Sequence, residues 1–88
     1  MKTIYKYILK PWIKETVDLP EGAQILKVEN QHGEFCLWAL VNTRKKLVEQ
    51  RKIIIRGTGH EVEYDNIKFI STFQIDDGRF IFHAFEVI

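Results

Sequence analysis

Short stretches of alternating apolar and polar residues, separated by breaks carrying glycine, proline and aspartate, run along this chain, which is the pattern of half-buried strands. From Thr3 to Lys10, Thr3, Tyr5, Tyr7 and Leu9 share one parity, while Ile4 and Ile8 share the other with Lys2, Lys6 and Lys10. The lysine spacing of four also fits a helix, but β-branched and aromatic residues dominate and Pro11 closes the segment, so the pattern predicts a strand. Trp12 to Leu19 reads as a second extended piece. Pro20, Glu21 and Gly22 mark a turn, and Ile25, Leu26 and Val28 lead into Asn30, Gln31, His32 and Gly33, whose residue types suit a hairpin. The returning segment, Phe35 to Val41, is continuously apolar and predicts a strand buried on both faces or at a sheet centre.

Asn42 to Lys46 is a polar connection, and Leu47 to Arg56 predicts another strand, broken at Gly57, Thr58, Gly59 and His60 because two close glycines disfavour continued pleating. Glu61 to Asn66 follows as an acidic loop. In Ile67 to Ile75, Ile67, Phe69, Ser71, Phe73 and Ile75 oppose Lys68, Ile70, Thr72 and Gln74. Asp76, Asp77 and Gly78 then supply the strongest hairpin signal, before a last strand from Arg79 to Ile88. Six or seven strands with a turn about every ten residues predict an all-β domain, an antiparallel sandwich or a strongly curved sheet. The apolar ending Phe85, Val87, Ile88 is expected to pack on its own core or on a partner subunit.

Length confines this pattern to a single domain over residues 1–88. A chain of this size buries only about 60 to 65% of its unfolded surface, so oligomerisation is expected. The 13 basic and 12 acidic residues balance to +1, which excludes a polycationic nucleic-acid coat. One cysteine, Cys36, permits no internal disulfide, and no apolar run reaches the length of a membrane span. The expectation is therefore a cytoplasmic protein without a membrane or polymeric nucleic-acid partner.

Charge is uneven, however. Arg44, Lys45, Lys46, Arg51, Lys52 and Arg56 face a single acid, Glu49, over thirteen positions. This excess predicts either an anionic partner or a solvated strand face with charges guarding an edge. Within it, Arg56-Gly57-Thr58-Gly59-His60 is the most site-like stretch. Glycines let backbone N–H groups approach a phosphate, Thr58 can donate, and Arg56 or His60 can supply charge; a plain turn with a left-handed glycine is the alternative. The stretch lacks the ending of a phosphate-binding loop and the βαβ setting of a dinucleotide fold. His83 shares parity with Ile81, Phe85 and Val87 and is expected to face an apolar surface as a hydrogen-bonded core histidine rather than a ligand or base. Trp38 and Trp12 have the aromatic faces that stack on a base, against a plain packing role for Trp38 among Leu37, Ala39 and Leu40. No metal-ligand spacing, nucleophile elbow or two-histidine phosphodiesterase pair is present, so neither catalytic residues nor a cofactor is expected.

The segments TIYKY, LPEGAQILKVENQHG, FCLWALV, IIIRGTGH, STFQ and FIFHAFEV together resemble a family of small phage domains with the same landmarks over nearly the whole chain. By size, local positive charge and lack of catalytic residues the chain is also similar to the oligomeric phage sponges that sequester nucleotide signals of bacterial immunity, an analogy at the level of the fold. That similarity implies a phage counter-defence protein in the host cytoplasm, a homo-oligomer that binds a cyclic oligonucleotide or ADP-ribose derivative without cleaving it. On this reading Gly57, Thr58, Gly59 and His60 lie at the phosphate with Arg56 as counter-charge, Trp38 and Gln74 address a base, and Thr72 adds a hydroxyl. The competing expectations are a protein-binding module inhibiting a host protein and a minor virion or assembly component.

Overall fold

Turn chemistry and alternation divide the chain into strands mostly as expected, except that Trp12 and Ile13 lie in a turn and only Thr16–Pro20 of the second extended piece is a strand; how the strands pair decides which residues can meet. The computed structural model describes residues 1–88 and contains seven strands: β1 (Lys2–Leu9), β2 (Thr16–Pro20), β3 (Gln24–Gln31), β4 (Glu34–Asn42), β5 (Val48–Gly57), β6 (Ile67–Ile75) and β7 (Phe80–Val87). They form two antiparallel sheets, β1-β4-β3 and β2-β5-β7-β6, which are not closed into a barrel. No helix is long and apolar enough to cross a membrane.

The β3–β4 hairpin turns on His32 and Gly33, both at positive φ (53° and 83°), the two-residue mirror-image turn that matches strand twist. The apolar run lands on β4, at the centre of the three-stranded sheet. Its odd positions, Leu37, Ala39 and Val41, point between the sheets and meet Leu9, Leu19, Val28, Ile53, Phe73 and Ala84 in one core. The even positions, Cys36, Trp38 and Leu40, belong to the outer face. The sheets approach each other along β3 and β6, where Val28 N–H donates to Ser71 Oγ at 3.1 Å.

Strand β6 departs from the simple alternation. A bulge between Phe69 and Ser71 shifts its register on β7, so Ser71 opposes Ala84 while Phe69 opposes Phe85. Phe69 therefore leaves the face of Phe73 and stacks edge-on against Phe85, ring centroids 5.8 Å apart, on the outside of the sheet. One extra residue is enough to reverse the parity that the sequence assigns to Phe69. Ile70, the residue within the bulge, packs against the core instead.

Candidate functional site

The break after β5 is a tight turn. His60 N–H donates to Gly57 O at 3.0 Å and Thr58 N–H donates to Ile81 O at 3.2 Å. Gly59 carries the positive φ, +89°, that the third position of a type II turn demands. The His60 ring folds back over Gly57 so closely that a Cβ there would stand 2.9 Å from the ring, and a side chain at this position would displace the exposed imidazole. The Thr58 and His60 amides are therefore already used inside the chain and are not free to donate to a phosphate.

Arg56 is also engaged. Its guanidinium donates to Glu15 Oε2 at 2.9 Å and to Glu63 Oε1 at 2.9 and 3.2 Å. Burial works against its charge, and the hydrogen bonds to Glu15 and Glu63 more than restore it, holding Arg56 above its ordinary range. Beside it on the same face, Lys52 lies over the Tyr64 ring, 4.7 Å from its centroid. The loop from Thr58 to Asn66 thus crosses the outer face of the four-stranded sheet, tied down through Glu63 and Tyr64, and Ile54 between Lys52 and Arg56 is fully buried.

The basic excess between Arg44 and Arg56 is accordingly dispersed. Lys45 pairs with Glu21, and Arg51, whose parity points it between the sheets, pairs with Glu86 and Glu49. Arg56 pairs with Glu15 and Glu63 on the opposite face. Glu21, Glu15 and Glu86 lie far from these cations in sequence and Glu63 lies just beyond the basic stretch, so a local count overstates the charge available to a ligand.

Of the eight expected ligand residues, Arg56, Gly57, Thr58, Gly59, His60 and Thr72 fall on or beside one end of the β5–β7–β6 surface. Thr58 and Thr72 are joined there through His83, with hydrogen bonds of 2.7 Å between Thr58 Oγ1 and His83 Nε2 and 2.9 Å between Thr72 Oγ1 and His83 Nδ1, one ring nitrogen donating and the other accepting when the imidazole is neutral. His83 is thus set in a polar bridge rather than on a purely apolar surface, and it is the residue that sequence reasoning placed outside the site. Gln74 stands further along β6 at the hairpin, where its Oε1 would lie 2.9 Å from a Cβ on Gly78. Trp38 does not join them. It lies on the outer face of the other sheet, opposite Lys6 and Lys27, so within one chain it cannot share a pocket with Thr58.

What surrounds the turn is a shallow hollow of about 230 Å³ lined by Gly57, Thr58, His60, Arg79, Phe80 and Phe82, together with Ile81. Arg79 is 74% exposed and only loosely paired to Asp76 at 3.6 Å. The Phe80 ring is half exposed. Phe82 continues into a run of rings, 5.7 Å from Phe35, which in turn meets Trp12 at 6.3 Å. Chemically the hollow offers an exposed cation, a histidine and aromatic faces. No three of the His, Cys, Asp and Glu side chains converge as a metal-ligating set.

The Glu63 clamp has a pH signature. Its own backbone N–H and then Arg56 hold the Glu63 carboxyl below its ordinary value. A depressed carboxylate stabilises the fold above its unfolded pKa, about 4.3, and the contribution disappears as pH falls through the lower folded value. The melting-temperature difference between wild type and Glu63→Gln is therefore expected at pH 7 and should vanish in strong acid, as followed by circular dichroism across pH 2 to 7.

Fold and site together define an antiparallel two-sheet β domain with a small polar and aromatic hollow at the mouth of one hairpin. The chain belongs to the family described as Domain of unknown function (DUF7352), whose model matches residues 1–88. No curated protein and no solved structure matches it.

Proposed function

We propose that this is a non-catalytic binding domain that takes a nucleotide-type anion at the hollow beside Gly57–His60. The observation that carries this reading is the grouping of Arg79, His60 and the exposed Phe80 around one concavity, a cation and a ring placed for a phosphate and a base. The counter-charge role passes from Arg56, which Glu15 and Glu63 already occupy, to Arg79 and His60. At about 230 Å³ the hollow is below the usual range of some 300 to 1,000 Å³ for an enclosing pocket, so it fits part of a nucleotide and leaves the rest to solvent or a second subunit. Joined to the resemblance to small phage domains, the reading is sequestration of a nucleotide immune signal in the host cytoplasm without its cleavage.

Thermal melting with a panel of cyclic dinucleotides, cyclic trinucleotides and cyclic ADP-ribose isomers tests it. One class should raise the melting temperature in a dose-dependent way, since ligand at 100 times its dissociation constant adds about 2.7 kcal/mol. Arg79→Ala and Phe80→Ala should each abolish the shift while leaving the unliganded melt near that of wild type, because both side chains are exposed. No shift with any compound would refute the nucleotide reading.

One observation favours a second reading, a protein-binding module. Trp12 and Ile13 are 71% and 72% exposed at the tip of the turn that Lys10 and Lys14 close, a pair of large apolar side chains presented to solvent, with Trp12 edge-on to Phe35. On that reading Trp12→Ala, not Arg79→Ala, removes function.

A further inference from the structure

The two sheets present four edge strands, and three of them are blunted. β3 carries a bulge between Ile25 and Lys27 and faces β6, with Val28 N–H taken by Ser71 Oγ. β6 carries its own bulge, and β2 is five residues long and ends in Pro20. β1 differs on each count. It spans eight residues with no proline, pairs with β4 in unbroken register from Lys2↔Asn42 to Leu9↔Phe35, and has no strand on its other side. Its central lysine does not guard the edge, because Lys6 Nζ is drawn across the sheet to Gln31 Oε1 on β3, 2.8 Å away. Tyr5, whose parity places it on the inner side of the sheet, is 47% exposed at this open seam, and Ile4 and Ile8 are exposed on the outer side.

From these features we infer that β1 is the subunit interface, pairing antiparallel with β1 of a second copy to join two three-stranded sheets into one of six. The occupant follows from self-complementarity. A two-fold axis through Tyr5 places Lys2 opposite Ile8, Thr3 opposite Tyr7 and Ile4 opposite Lys6, with the two Tyr5 rings side by side and no lysine facing another. Centring on Lys6 would instead oppose Lys6 to Lys6 and Lys2 to Lys10, which like-charge repulsion disfavours. Area points the same way. The chain exposes 6033 Å² where a monomer of 10.5 kDa is expected to expose about 5,400 Å², an excess of about 600 Å² against the roughly 800 Å² per partner of a standard interface.

Sedimentation equilibrium at micromolar concentration tests the assignment with the intact protein. Wild type should show twice the mass of the 10.5 kDa chain, and Tyr5→Lys, which sets two charges together on the axis, should be monomeric with an unchanged β-sheet circular dichroism spectrum. Tyr5→Cys should form a disulfide-linked dimer on mild oxidation, while Lys10→Cys, outside the paired register, should not. A monomeric wild type, a dimer that survives Tyr5→Lys, or cross-linking equally efficient at both positions would overturn the interface. The result does not depend on any nucleotide, so it stands or falls apart from the ligand reading.

Discussion

Arg51→Ala should lower the melting temperature by about 10 to 20 °C. Arg51 and Glu86 lie on β5 and β7 with both parities directed between the sheets, near the end opposite the hollow. The guanidinium engages the carboxylate through two nitrogens, Nε to Oε2 and Nη2 to Oε1, the latter at 3.1 Å, and Nη1 donates to the Ala23 carbonyl at 3.0 Å. The side chains are 19% and 11% exposed, so removing one leaves the other charged and poorly hydrated. Breaking a fully buried pair costs about 3 to 5 kcal/mol; the residual exposure of Arg51 brings the expectation to about 2 to 3 kcal/mol. For a domain of this size each kcal/mol moves the midpoint by about 4 to 8 °C. Replacing both partners with apolar residues, Arg51→Met with Glu86→Leu, should recover most of the loss, because no orphaned charge remains. Calorimetry of the three proteins decides the matter; a drop below about 5 °C for Arg51→Ala would mean that the pair is solvated and contributes little.

The strands themselves were readable in advance because each carries its own local evidence. The alternation of β1, the apolar run of β4 and the turns at His32-Gly33 and Asp76-Asp77-Gly78 all depend on neighbours within a few residues. What failed is what depends on partners distant in the chain. The bulge at Ile70 has no glycine to announce it, and it alone moved Phe69 to the outside. The pairing of Arg56 with Glu15 and of Arg51 with Glu86 is invisible to a local charge count because these acids lie about forty and thirty-five positions away. Strand order puts Trp38 on a different sheet from Thr58, so within one chain the two do not meet, and no periodicity within a strand reports sheet membership. His83 could have been found. Counting back from the Asp76-Asp77-Gly78 turn pairs Ile75 with Phe80 and hence Thr72 with His83, a cross-strand hydrogen-bonding pair visible once the hairpin is accepted.

The central strand allows a sharper test, because two adjacent residues in it are equally hidden for different reasons. Leu37 is 0% and Cys36 1% exposed, but Leu37 belongs to the core between the sheets, whereas Cys36 points to the outer face and is not part of that core. Leu37→Ala should therefore cost about 3 kcal/mol, the loss of transfer energy plus an unfilled cavity, out of a total stability expected near 4 to 13 kcal/mol. Cys36→Ala removes one sulfur from a side-chain layer that can close over it and should cost about 1 kcal/mol or less. The thiol also supplies its own readout. Burial, the main cause, raises its pKa, so it should resist alkylation at neutral pH until the strand is exposed. If exposure of Cys36 requires global unfolding, Leu37→Ala should speed its modification by about a hundredfold, the same 3 kcal/mol read as a rate. Acceleration well short of this, alongside a full loss of stability, would show that the outer layer over Cys36 opens by itself without disturbing the core.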